Sequence, residues 1–377
     1  MTTTQPASEN YTFSQPQVIL NSGHNLYNIV EWLPDNQQVL VTQDLRTSIP
    51  KGNTTPLQQS IELFNPSTNT SKIYATRIIS DEPPSWLPQS NAVIYPDRNF
   101  LGIDQNTNQP KFTNQIWVSY RDPNGAQKLA DNLPQHSLAV KPDGSGMIYF
   151  SDKQILKRNA SIQALPSISF DPTQWDYAIG RRSDIPLSFQ QAWQPGTALV
   201  FLFGDGIFRF SGYTFILNAD TGKVCELNLG GWAIKARWSS DGRYLAIIRT
   251  HDHFPINSSD LAVLDAVTGK VYSINVTLSE EGKHYVDDFV WAPDNYHLLA
   301  IGRFLPYANQ PDDEQSRLYL VDFASGQSDD ILPMYAFYAD ETRCNLAWSP
   351  DGSKLLIRCP TEKDEQVCFI SVQRTQQ

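Results

Sequence analysis

One short pattern recurs seven times along the chain and constrains its fold more than any other feature. Each copy is an apolar run ending near a tryptophan, then a Pro-Asp turn or its equivalent, then a second apolar run. The copies are Trp32 with Pro34-Asp35, Trp86 with Pro88-Gln89, Val140 with Pro142-Asp143-Gly144, Trp193 with Pro195-Gly196, Trp238 with Ser240-Asp241-Gly242, Trp291 with Pro293-Asp294, and Trp348 with Pro350-Asp351-Gly352. Successive anchors stand 45 to 57 residues apart. A repeat of that period signals a solenoid or a propeller, and the β-rich runs that follow each turn select the propeller. Six of the nine tryptophans fall in this one slot, which marks them as blade packing, with little claim to be ligand platforms. The recurring acids are read the same way, as turn residues that accept Asx hydrogen bonds, not as a ring of metal ligands.

A third apolar run and an Asx/Gly turn complete each unit, as at Asn218 to Gly222, Asp265 to Gly269 and Asp322 to Gly326, with a fourth run after it. The last unit stops near Val372 after three runs and would leave a bare sheet edge, a template for aggregation. Gln17–Leu20 is apolar and precedes the first anchor, so it is predicted to fill the outer place of the seventh blade. The expectation is an all-β, seven-bladed β-propeller of four-stranded antiparallel blades. Residues 16–377 form one domain in this reading, and residues 1–15 a disordered polar leader.

The charge balance narrows the partners. With 29 Lys plus Arg against 40 Asp plus Glu, the net charge of -11 repels phosphate backbones, so no nucleic-acid partner is expected. No run of about 18 apolar residues exists, so no transmembrane helix is predicted. Four cysteines are too few for a disulfide scaffold. Cys344, Cys359 and Cys368 are placed by their turns to lie side by side on the last strands. A row of buried thiols is one reading; a Cys344–Cys359 or Cys359–Cys368 disulfide, which requires an oxidising compartment, is the other.

The strings Trp348-Ser349-Pro350-Asp351-Gly352-Ser353-Lys354-Leu355-Leu356 and Trp238-Ser239-Ser240-Asp241-Gly242-Arg243-Tyr244-Leu245-Ala246 resemble the repeat of TolB-type, WD-repeat-like propellers. The likeness covers nearly the whole chain at blade level. It departs from the pattern at Val140, where tryptophan is usual, and at Gln89, where aspartate is usual. It implies a binding or scaffold propeller, often extracytoplasmic in bacteria. The polar start of the chain lacks the basic and apolar parts of a secretory signal, which points to the cytoplasm; the resemblance tips the expectation toward an extracytoplasmic location.

Propeller geometry puts the loops between strands two and three, and between blades, on one face. The long segments 43–60, 97–114, 166–187, 251–260, 303–316 and 334–342 all belong to it, so function is expected there. Their aromatic and cationic residues are of the types that anchor protein interfaces. The partner-binding candidates are Arg98, Trp175, Tyr177, Arg181, Arg182, Phe254, Arg303, Phe304 and Tyr307, with residues 171–182 foremost. His251 and His253, two residues apart on an extended segment, form the one spacing that hints at a metal, and metal-dependent oligosaccharide lyases on TolB-like propellers use such a pair. Asp312-Asp313-Glu314 is read as a solvated loop. No nucleophile elbow, phosphate loop or His-Glu-x-x-His is present. The leading expectation is therefore a non-enzymatic scaffold for a protein or peptide partner, without cofactor. The rivals are a carbohydrate-active or metal-assisted enzyme at the channel mouth, and sugar binding without turnover.

Overall fold

The computed structural model describes residues 11–21, 27–45, 58–78, 82–104, 110–120, 125–133, 138–151, 154–169, 189–204, 214–250, 258–276, 283–305, 315–334, 346–359 and 366–375. Among these, strands β1 (Tyr11–Phe13) and β2 (Gln17–Asn21) precede the first blade, which is β3 (Tyr27–Trp32), β4 (Val39–Leu45), β5 (Gln58–Asn65) and β6 (Thr70–Ile78). Blade II is β7 (Ser85–Leu87), β8 (Ala92–Ile103), β9 (Pro110–Tyr120) and β10 (Gln127–Leu133). Blade III is β11 (Leu138–Val140), β12 (Gly146–Ser151), β13 (Gln154–Asn159) and β14 (Ala164–Ser169). Blade IV is β15 (Phe189–Trp193), β16 (Leu199–Gly204), β17 (Thr214–Asn218) and β18 (Val224–Leu227). Blade V is β19 (Trp232–Trp238), β20 (Tyr244–Thr250), β21 (Asp260–Asp265) and β22 (Val271–Ile274). Blade VI is β23 (Lys283–Trp291), β24 (His297–Leu305), β25 (Gln315–Asp322) and β26 (Gln327–Met334). Blade VII is β27 (Leu346–Trp348), β28 (Lys354–Arg358) and β29 (Gln366–Arg374). The sheets are antiparallel meanders, so the expected seven-bladed propeller is the fold.

Both N-terminal strands pair with β29 and close the ring. In β2, Gln17 faces Phe369 and Val18 faces Cys368; in β1, Tyr11 faces Arg374 and Phe13 faces Val372. The fastening strand is longer than the predicted Gln17–Leu20 and starts at Tyr11, inside the segment expected as a disordered leader. Pro16, which has no N–H to give, interrupts it. Ser14 bridges the gap, donating its N–H to Ser371 O and accepting Ser371 N–H on Oγ, each at 2.9 Å. Tyr11 is buried, and its hydroxyl donates to Asp294 Oδ2 at 2.5 Å.

Each turn between the first two strands of a blade carries one left-handed residue: Asn36, Asn91, Gly144, Gly196, Gly242, Asn295 and Gly352. Only glycine and asparagine take this conformation readily. The turn acids accept nearby N–H groups, Asp35 from Gln37 and Gln38 and Asp351 from Ser353. Five of the tryptophan anchors fall into two groups. The Trp32, Trp238 and Trp291 indoles donate across to the preceding blade, to Ala347 O, Ala192 O and Arg237 O at 3.1, 3.0 and 2.9 Å. Trp193 and Trp348 donate inside their own turns, to Thr197 O and Gly352 O.

The core is divided into seven apolar clusters, one at each junction between neighbouring blades. At the junction of blades II and III, where Val140 replaces tryptophan, Ile162 is buried in the same cluster. It sits at φ 65° in a turn whose counterparts in blades IV, V and VI hold Gly222, Gly269 and Gly326. A β-branched residue there carries about 1–3 kcal/mol of backbone strain, tolerated because its side chain fills the wedge.

Of the two cysteine readings, the disulfide holds for one pair. Cys359 follows β28 and Cys368 lies on β29 opposite Ile357, with Cα atoms 4.9 Å apart, and the two are bonded. That separation lies within the range a disulfide spans without moving the backbone, so the row of free thiols does not form. Cys344 lies outside the described residues.

Candidate functional site

The loop face is where the structure elaborates on the repeat. In blade II, β8 and β9 run for 12 and 11 residues, against 5 to 9 for the corresponding strands elsewhere. The segment 97–114, expected as a loop, is mostly an extended β-hairpin. Pro96 reads as a strand breaker in sequence, yet its carbonyl is used and β7 pairs only with Ala92–Ile94, so no ladder partner misses its N–H. At about 3.4 Å per residue the extra length carries the hairpin about 10–20 Å beyond the blade. Phe100 and Phe112 face each other across it with ring centroids 5.6 Å apart. Leu101 and Ile103, two positions apart on β8, are 50% and 38% exposed.

The base of this arm is held by a buried polar network. Arg77, at the end of β6 and 3% exposed, donates from Nε and Nη2 to Gln59 Oε1 at 2.9 and 2.7 Å and from Nη1 to Pro96 O at 2.8 Å. Gln59 in turn donates to Asp44 Oδ1 at 2.8 Å. Asp97 Oδ1 accepts the N–H groups of Ile78 and Arg98. Burial pulls the Arg77 guanidinium down to about 10, against the raising effect of Asp97 and Glu82. A buried cation so fully bonded costs several kcal/mol to disturb and clamps blade I to the root of the blade II hairpin.

A second polar group lies on the innermost strands. Glu31 of blade I accepts Trp86 N–H from blade II at 2.8 Å. Desolvation pushes its carboxyl up to about 7, opposed by that hydrogen bond and, less, by the charge of the Arg237 guanidinium of blade V. Arg237 also donates to Phe289 O at 2.8 Å. Lys235 meets the fully buried Asp288 at 2.7 Å. Glu31 is thus a carboxyl raised above its ordinary range on an innermost strand, the type of group that acid–base chemistry draws on.

Of the residues singled out in the sequence, Arg98 stands at the base of the arm. Arg303 and Phe304, on β24, are engaged within blade VI: Arg303 pairs with Asp287 at 3.1 Å and lies 4.4 Å from the Tyr285 ring, and Phe304 packs on His284. Trp175, Tyr177, Arg181, Arg182, His251, His253, Phe254 and Tyr307 lie outside the described residues. His297 is used structurally, with Nδ1 2.8 Å from Asp294 Oδ2. Among the described residues no cluster of three or more His, Cys, Asp or Glu is placed to hold a metal. Leu101, Ile103, Arg77 and Glu31 are additions. Glu31 had a legible signal: the position before the anchor is Ser85, Ala139, Ala192, Val290 or Ala347 in five blades, and only Glu31 and Arg237 charge it.

No protein-family model and no curated protein matches the chain. Solved structures do. An oligogalacturonate lyase in complex with manganese is 8% identical, with a TM-score of 0.55 over 96% of both chains. The β-propeller domain of the trilobed protease from Pyrococcus furiosus, described as having an open velcro topology, is 10% identical, with a TM-score of 0.53 over 94% of this chain and 98% of that one. A putative TolB from Agrobacterium tumefaciens is 14% identical at a TM-score of 0.44, covering 84% of this chain and 98% of the other. At these identities the likeness is one of fold. Among the described residues no helix is long and apolar enough to cross a membrane.

Proposed function

We propose that the chain is a binding propeller that engages a protein or peptide through its loop face, with the blade II hairpin as the principal contact arm. The observation that carries this reading is the exposed Leu101 and Ile103 on a hairpin rooted by the buried Arg77 network. Rigid presentation of apolar side chains lowers the ordering cost of binding. The Cys359–Cys368 disulfide supports an extracytoplasmic setting, where such bonds persist. The test is affinity capture with the double variant Leu101→Asp, Ile103→Asp. Both positions are exposed, so stability should change by less than about 0.5 kcal/mol while a partner held by the parent protein is released. Identical capture by both proteins would remove the arm from the reading.

A second reading rests on Glu31 and Arg237. A carboxyl raised to about 7 on the innermost strand of blade I, with a guanidinium at the same repeat position in blade V, suits proton abstraction beside a substrate carboxylate, and a structural neighbour is an oligogalacturonate lyase. Turnover of oligogalacturonate with added Mn2+, lost in Glu31→Gln, would favour it; a parent protein inert under those conditions would remove it.

A further inference from the structure

The seven junctions are not alike on the opposite face, where the short turns lie. At three of them the left-handed glycine of one turn presses on the proline turn of the blade before. A Cβ on Gly144 would meet Pro88 Cδ at 2.4 Å, one on Gly242 would meet Pro195 O at 2.8 Å, and one on Gly352 would meet Pro293 Cγ at 3.2 Å. Gly196 has nothing within 4 Å. Its turn reads Gln194-Pro195-Gly196-Thr197, with Thr197 N–H bonded to Gln194 O and the positive φ at the third residue, a type II pattern. The Pro-Asp-Gly turns place that residue fourth, as at Gly352, whose N–H bonds Ser349 O. Shifted by one position, the blade IV turn does not close on Pro142, and a cleft of about 330 Å3 opens between blades III and IV.

The cleft is polar, and its charges come from separate elements. Lys141 and Asp143 belong to the blade III turn, and Asp220 to the turn after β17. The Lys141 ammonium lies 5.3 Å from the centre of the Trp193 ring. Hydrogen bonds from Ser145 and, after them, the Lys141 charge hold the Asp143 carboxyl low against its burial, and the Lys157 ammonium bonded at 2.8 Å, with a smaller contribution from Lys141, holds Asp220 low. An ammonium over an indole face, in a cleft that two carboxylates also line, supplies the elements of a seat for an organic cation, here occupied by the chain's own side chain.

We propose that this cleft binds an ammonium or guanidinium group, which takes the place of the Lys141 ammonium over Trp193 and between Asp143 and Asp220. The group can belong to a free amine or to a basic side chain of a peptide; the chemistry is shared. The site is on the face opposite the hairpin arm and does not depend on the loop-face reading.

The experiment is calorimetric titration of the full chain with agmatine and, separately, with a Gly-Arg-Gly peptide blocked at both ends. Lys141→Met keeps the stem and vacates the seat, so it should tighten binding about tenfold; Lys141→Gln serves if the methionine variant does not fold. Asp143→Asn with Asp220→Asn should weaken it at least about tenfold. Tightening for agmatine alone identifies a free amine, and tightening for the peptide identifies a side chain. Absence of saturable binding to the Lys141 variants up to about 10 mM overturns the proposal. So does unchanged affinity in the double asparagine variant, which would assign the binding to the bulk negative charge.

Discussion

At the junction of blades VII and I, the Trp32 indole donates across to Ala347 O, Asn36 bonds Asp351, and Lys354 donates to Asn36 O at 3.1 Å. At the junction of blades III and IV, the Trp193 indole turns back to its own Thr197, and the charged contact on that side is the Lys157–Asp220 pair, whose acid is 69% exposed. Both junctions have an apolar cluster of similar make-up. Chain connectivity also sets the two junctions apart. Blades III and IV are consecutive in the chain, so their docking closes a short loop. Blade VII meets blade I where the two ends of the chain come together, and every contact there must offset the entropy of closing the whole ring. Strands β1 and β2 and the disulfide all stand on that side, whereas the III–IV junction, where the Trp193 indole makes no cross-blade bond, opens as a cleft.

The largest expected effect separates the two anchors. Trp32→Ala should cost about 3–5 kcal/mol in urea unfolding, from lost burial and the cavity left behind. Trp193→Ala loses the same apolar burial, but the bond it loses is only partly buried where that of Trp32 is buried, so it should cost about 1 kcal/mol less. Equal or reversed costs would break the contrast. Next comes the disulfide. Reduction, or Cys359→Ser with Cys368→Ser, should cost about 2–3 kcal/mol for so short a loop. Amide exchange should quicken on β28, β29 and β2 while β11 and β15 are unmoved. Cys225, exposed and free, is the control, and Cys225→Ser should change nothing measurable.

Acid should also loosen the closing side first. Burial raises the Asp294 carboxyl, but hydrogen bonds from His297, Tyr11 and Tyr296 N–H outweigh it and hold the group well below the usual carboxylate range. A carboxyl depressed in the folded state adds stability above its unfolded value, near pH 4, and that contribution is lost as pH falls toward the folded value. Tyr11→Phe removes one of the bonds, so its cost of about 1–3 kcal/mol at neutral pH should shrink below about pH 4. A cost independent of pH would show that Tyr11 acts by packing on Trp348 alone.

The repeat made the blades, their order and the closing role of Gln17–Leu20 legible, because a fixed anchor and turn report local geometry directly. The start of the fastening strand at Tyr11 was hidden by Pro16 and a polar neighbourhood, since the pairing that makes Tyr11 a strand residue lies more than 350 positions away. The hairpin arm was hidden by Pro96 in the same way, and the Arg77 network because the carbonyl of Pro96 and the amide of Gln59 carry no signal as a set. Glu31 and Arg237 were visible as charges in a slot otherwise small or apolar. What relates them is the ring itself, since both occupy the same repeat position on an innermost strand.

The smallest effect tests the cleft most directly. Gly196 and Gly242 share a left-handed backbone, at φ 70° and 72°, so alanine costs each about 1 kcal/mol in conformational strain. At Gly242 the new Cβ also runs into Pro195 O at 2.8 Å, a backbone atom that cannot move without shifting the neighbouring turn. Gly242→Ala should therefore cost about 2–4 kcal/mol, and Gly196→Ala should stay near the strain value alone. The gap between the two measures how open the III–IV junction is in solution. Equal costs would mean that the turn of blade IV is pressed against blade III as tightly as at the other junctions, and that the cation seat is closed.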